Sequence, residues 1–102
     1  MARKTETQLS LVGQMVVVRS NGSGVWLGRL EARSGDEVML AWARRAWQWE
    51  GAATCSGLAT RGPSGGRITE PVEVVIVLGV CEVLLATDTA VARWEAVKPW
   101  VA

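Results

Sequence analysis

The chain has no histidine, tyrosine or phenylalanine. Without histidine it lacks the commonest general base and the commonest metal ligand. Tryptophan, present six times in 102 residues, therefore carries all of the aromatic chemistry. Cysteine is scarce. Cys55 and Cys81 have neither C-x-x-C spacing nor histidine partners, which excludes a zinc site of the usual kind. Buried free thiols are expected for both. Long apolar runs are missing too. The longest, Val74 to Val83, is broken by Gly79 and Glu82 and is too short to cross a bilayer. Met1 to Gln8 is polar and leads into no apolar segment of signal-peptide type, so a cytoplasmic location with no membrane partner is expected. An excess of charge of one sign is also absent. The formal net charge of +1 argues against a DNA-coating protein, although a small anionic ligand needs only two or three local charges. Only Lys4 and Lys98 are lysines, so the basic chemistry belongs to arginine.

What is present suits one small domain. Hydrophobic residues make up 49% of the chain, enough for a core. A domain this size buries only about two-thirds of its unfolded surface, so self-association into a dimer or higher oligomer is expected. Residues 1–14 read as a flexible arm and 15–102 as the domain. Met15 to Arg19 is β-branched and strand-like. Ser20-Asn21-Gly22-Ser23-Gly24 is a turn, with Asn-Gly a strong hairpin signal. Val25 to Arg33 is a second strand, Ser34-Gly35-Asp36 a second turn. Glu37 to Trp42 alternates, with Val38, Leu40 and Trp42 on one face.

Leu40 to Trp49 has two readings. As a helix, it lines Leu40, Ala43 and Trp47 along one side. As a strand, favoured because tryptophan suits sheets, it sets Arg45, Trp47 and Trp49 on one face and Arg44 and Gln48 on the other. A short helix is expected within Gly51 to Thr60, capped by Glu50 or Thr54. Arg61 to Arg67 reads as a loop. Val72 to Val80 reads as a central strand buried on both faces. Cys81 to Leu85 continues it or pairs after a break at Gly79. Thr87-Asp88 is an N-cap signal for a terminal helix over Thr89 to Val97. The fold class is α+β: an antiparallel meander with one or two short helices.

Catalytic chemistry has no evident home. Carboxylates occur singly, serines lie in turns without histidine, and Glu73 and Glu82 have no evident partner. The glycine-rich segment Gly62-Pro63-Ser64-Gly65-Gly66-Arg67 lacks the lysine and following Ser/Thr of a P-loop. No enzymatic activity and no cofactor are expected. The densest chemistry lies in Ala43-Arg44-Arg45-Ala46-Trp47-Gln48-Trp49. Arginine offers a planar donor fork for phosphate, and tryptophan a flat face for a nucleobase. Arg44, Arg45 and Arg19 are the candidate phosphate contacts, Trp47 and Trp49 the stacking platforms. Asn21, Arg61 and Arg67 are weaker candidates. An ion pair of Arg44 or Arg45 with Glu37 or Glu50 is the plain alternative. Trp26 and Trp42 read as core; Trp94 and Trp100 pin the terminal helix.

The elements Val16 to Val25, Gly28, Leu30, Glu37-Val38-x-Leu40, Ala43-Arg44-Arg45-x-Trp47-x-Trp49-x-Gly51-Ala52 and Leu58-Ala59-x-x-Gly62 together resemble a family of small phage-encoded proteins known as a domain of unknown function. The resemblance covers roughly residues 16–100. The same set is similar to the Thoeris anti-defence sponge proteins. That similarity implies an oligomeric β-sheet protein in the cytoplasm of an infected bacterium. It would bind a nucleotide immune signal, a cyclic ADP-ribose isomer or a cyclic oligonucleotide, without turnover. The competing class is a phage protein-interaction module that inhibits a host protein or contributes to virion assembly. A weak RNA or single-strand binder is a third reading, disfavoured by the near-neutral charge.

Overall fold

The computed structural model describes residues 10–101. Met1 to Leu9, most of the expected N-terminal arm, lie outside the described residues. Six strands and two helices follow in the order β1 (Met15–Ser20), β2 (Gly24–Ser34), β3 (Glu37–Glu50), α1 (Cys55–Thr60), β4 (Gly65–Ile68), β5 (Val72–Val77), β6 (Val80–Leu85) and α2 (Asp88–Ala96). All pairings are antiparallel, and β1, β2 and β3 form the expected meander. Residues 40–50 are strand throughout. Just before β1, the Gly13 amide donates to the Leu30 carbonyl at 2.7 Å, and the Leu30 amide donates to the Gln14 carbonyl at 2.9 Å.

The long strand β3 organises the molecule. One side pairs with β2; the other pairs first with β5 (Val38 to Ala43) and then with β4 (Ala46 to Glu50). β6 pairs with β1 at the far side of the sheet. Only Leu78 and Gly79 separate β5 from β6, so the sheet must curl to bring its two margins together. Ser20 Oγ donates to the Leu78 carbonyl at 2.6 Å, the Asn21 amide to Gly79 at 3.1 Å, and the Val80 amide to Asp36 at 2.8 Å. The result is a small, partly open barrel. Its interior holds Val16, Val18, Leu30, Val38, Leu40, Ala43 and Val77.

A second core lies on the opposite face, where both helices cover the sheet. Val17, Leu27, Ala46 and Ile68 meet Leu58 and Ala59 of α1 and Trp94 of α2. β1 is thus buried on both faces, which its Val16-Val17-Val18 run suits. Each helix is N-capped by a threonine: Thr54 Oγ1 accepts from the Gly57 amide and Thr87 Oγ1 from the Ala90 amide, both at 3.0 Å. Trp94 is fully buried and donates its indole N–H to the Leu58 carbonyl at 3.1 Å, tying α2 to α1. No helix among the described residues is long and apolar enough to cross a membrane.

Several expectations need correcting. β5 is not a central strand buried on both faces. Among the described residues its only partner is β3, and Val72, Val74 and Ile76 are exposed. The continuous apolar run was read as two-faced burial, but only Val75 and Val77 point into the barrel core or pack against it. Trp42 is not core. It has φ +53° and is 55% exposed. Between the rungs Leu27–Arg44 and Arg29–Ala41, β3 has two residues where β2 has only Gly28. This bulge breaks the alternation that put Trp42 with Val38 and Leu40. A Cβ on Gly28 would lie 3.0 Å from Leu40 Cβ and 3.2 Å from Ala43 Cβ, so the bulge needs glycine opposite. Nor are the thiols both buried: Cys81 is exposed and Cys55 half-buried, each free. The expected loop Arg61 to Arg67 ends early, because Gly65-Gly66-Arg67 already pairs with β3.

Candidate functional site

Arg44 and Arg45 are adjacent on a strand, so their side chains leave on opposite faces. That geometry gives them different tasks. Arg44 enters the helix-covered face and is only 5% exposed. Its Nε donates to the Thr69 carbonyl at 2.7 Å, Nη1 to Trp94, and Nη2 to Val97 at 2.9 Å and Ile68 at 3.4 Å. These acceptors include the carbonyls at the C-terminal end of α2, where the helix dipole is negative. Burial pulls the Arg44 guanidinium below its ordinary pKa, and the Glu95 carboxylate opposes that shift. Arg44 is therefore a fastener and not the phosphate contact expected of it, because its donors are already used on the backbone.

Arg45 leaves on the barrel side, and its backbone is bracketed by Thr69. The Arg45 amide donates to Thr69 Oγ1 and the Thr69 amide to the Arg45 carbonyl, both at 3.0 Å. The Arg45 guanidinium carbon lies 4.1 Å from the Trp47 ring centre and 5.8 Å from that of Trp26. Trp26 is its cross-strand partner on β2. Trp47 is 56% exposed and meets Trp100 edge-on, with centroids 6.5 Å apart and planes at 66°. The Arg67 guanidinium lies 5.5 Å from the Trp100 ring. Trp26, Arg45, Trp47, Trp100 and Arg67 thus form a ladder of three rings and two cations, with the Trp47–Trp100 ring pair between the two arginines. Such contacts contribute ~0.5–1 kcal/mol each at exposed sites. Gly24, with φ +84°, lies beneath Arg45; a Cβ there would sit 3.8 Å from Arg45 Nε. The buried Trp26 indole N–H has no hydrogen-bond partner among the described residues.

Among the described residues the ion pairs are Arg19–Glu82 at 3.0 Å and Arg29–Glu31. Among these residues neither Arg45 nor Arg67 has a carboxylate partner, and the expected pairing with Glu37 or Glu50 does not form. No group of three or more metal-ligating side chains occurs among the described residues.

The other expected site residues are elsewhere. Trp49 does not share the Arg45–Trp47 face. A register shift between Ala46 and Gln48 turns it toward the helix-side core, where its indole N–H donates to Ala52 at 2.9 Å. Arg19 lies on the sheet face opposite Arg45, in step with Val17, and is held by Glu82, which was expected to lack a partner. Asn21 is engaged at the barrel corner, where its Oδ1 accepts from the Cys81 thiol at 3.7 Å. Arg61 is the C-cap residue of α1.

Trp26 and Trp100 were not among the expected site residues, and Arg67 stood only as a weaker candidate. Trp26 was legible in principle, since hairpin pairing sets it opposite Arg45. Trp100 was not. Its place depends on the C-terminal segment folding back, where the Trp100 amide donates to the Ile68 carbonyl at 2.8 Å. Arg44 holds Trp94 and Val97 just upstream of that contact. No curated protein matches this sequence. Residues 13–94 match the family described as Domain of unknown function (DUF6948), and with most of its length covered the chain belongs to that family.

Proposed function

We propose that this protein is a non-catalytic binding module for a small nucleotide-type anion, which it sequesters without turnover. The observation that carries the reading is the Arg45 guanidinium, 4.1 Å from an exposed Trp47 ring and without a carboxylate partner among the described residues. A phosphate would bond Arg45 and Arg67, and a base would stack on Trp47 or Trp100. Each charge-assisted hydrogen bond contributes ~1.5–3 kcal/mol and each stacked base ~1–3 kcal/mol. Those sums reach micromolar or tighter affinity after the association cost. The ligand classes we propose are cyclic ADP-ribose isomers and cyclic oligonucleotides. The setting is phage anti-defence in the cytoplasm of an infected bacterium.

A thermal-shift panel of those nucleotides tests this directly. One ligand at a hundredfold over its Kd should add ~2.7 kcal/mol of stability. The gain should vanish in Arg45→Ala and weaken in Arg67→Ala. A well-folded protein with no shift across the panel would sink the reading. The exposed apolar face of β5, with Trp42 beside it, favours a second reading: a protein-interaction module acting on a host or virion protein.

A further inference from the structure

We infer that β5 pairs antiparallel with β5 of a second copy of this chain, about a twofold axis at Val75. This inference does not depend on the nucleotide reading. β5 bonds to β3 on one side only, and no other backbone hydrogen bond of the described residues reaches Val72 to Val77. Among the described residues its outer margin is therefore an unpaired row of peptide donors and acceptors. Monomeric proteins guard such margins with lysine, proline, a bulge or a covering element. Here Pro71 stands just before the strand, and Glu73 is the only charge within it.

The strand is complementary to itself. Across a twofold pair, opposed residues must share a face, which restricts the axis to a residue position. An axis at Val75 opposes Val74 to Ile76 and Val72 to Leu78 on the outer face, and on the other face opposes Val75 to itself and Glu73 to Val77. All four of the opposed outer side chains are exposed in the single chain, Val74 and Ile76 at 54%. The charge disfavours an axis nearer the start of the strand, and Val75 is the position closest to the middle of β5 that keeps the carboxylates apart. With the axis at Val75 the two Glu73 residues sit four rungs apart, about 14 Å at the strand rise of roughly 3.4 Å. That distance exceeds the screening length of about 8 Å in physiological salt. An axis at Val74 would halve the separation, and one at Glu73 would stack the carboxylates. Trp42 lies one strand inward, between the rungs Ala41–Val74 and Ala43–Val72, so its exposed ring flanks the seam.

Sedimentation of the full chain without ligand, over a hundredfold concentration range, tests the pairing. The expected species has twice the 11.0 kDa chain mass. Val74→Lys, an exposed position, should raise the dimer dissociation constant at least tenfold with an unchanged circular dichroism spectrum. The register is tested by crosslinking in a Cys55→Ser, Cys81→Ser background. Val75→Cys should oxidise to a covalent dimer, since opposed Cα atoms about 4.5–5.5 Å apart suit a disulfide. Val74→Cys should not. A wild-type monomer throughout the range, a dimer indifferent to Val74→Lys, or crosslinking through Val74→Cys in place of Val75→Cys would each overturn the inference. So would a monomer whose β5 amides are protected from exchange only when residues 1–9 are present.

Discussion

The two halves of β3 have opposite fates. The second half, from Ala43 to Glu50, is covered on one face by helices and on the other carries the tryptophan–arginine ladder. The first half, from Glu37 to Trp42, lies beside β5, whose outer face has no cover among the described residues. The difference comes from what the chain supplies after β3. Both helices pack on the side where Arg44 emerges, Arg44 binds four carbonyls there, and the C-terminal segment returns past Ile68 to bring Trp100 to Trp47. Among the described residues nothing of that kind reaches β5. One strand thus offers a rigid, pre-set surface at one end and an unspent apolar margin at the other.

The largest expected effect breaks the covered half. Arg44→Ala should destabilise by about 3–5 kcal/mol, because it strands buried carbonyls and releases the end of α2. Arg44→Lys should recover little, since a point ammonium cannot satisfy a planar fork of acceptors. Urea unfolding measures both. A loss below 1 kcal/mol for Arg44→Ala would mean the fastening role is wrong. By contrast Arg45→Ala should cost about 1–2 kcal/mol, as two partly exposed cation–π contacts. The same titrations sharpen the comparison, and equal losses for the two arginines would erase it.

In the uncovered half, Trp42→Gly should stabilise the isolated chain by about 1 kcal/mol. Glycine relieves the positive φ and the lost ring is more than half exposed. A destabilised Trp42→Gly would mean that the indole packs more firmly than its exposure indicates. Thr87→Ala should remove about 1 kcal/mol through the lost N-cap. The loss includes the Thr87 Oγ1 bond to the Thr60 carbonyl, and Thr87→Ser, which keeps the hydroxyl, should recover most of the melting temperature. The smallest effect concerns the thiols. Burial raises the Cys55 pKa and shields its sulfur, while Cys81 is exposed. Mass spectrometry after brief alkylation should find Cys81 labelled first; faster labelling of Cys55 would contradict the burial described.

Much of this was local and therefore readable. The Asn-Gly turn, the Ser34-Gly35-Asp36 turn and the β-branched runs set the meander, because turn chemistry and period-two patterning act over a few residues. Thr54 and Thr87 capped the helices for the same reason. The bulges were not readable. Nothing in Ala41-Trp42-Ala43 announces an extra residue, yet it moved Trp42 out of the core, and a second shift turned Trp49 away from Trp47.

By itself the sequence determined the β1–β2–β3 meander, the two helices, the lack of histidine chemistry, and the opposition of Arg44 to Arg45, which follows from the two-residue period of a strand. Only the tertiary structure decided which of those arginines is spent on the fold. That choice depends on which face α2 covers, and on a C-terminal return that brings Trp100 to Trp47 across more than fifty residues of chain. Propensity acts on neighbours in sequence, whereas burial and pairing act on neighbours in space. Arg45 became available because Arg44, one residue away, was not.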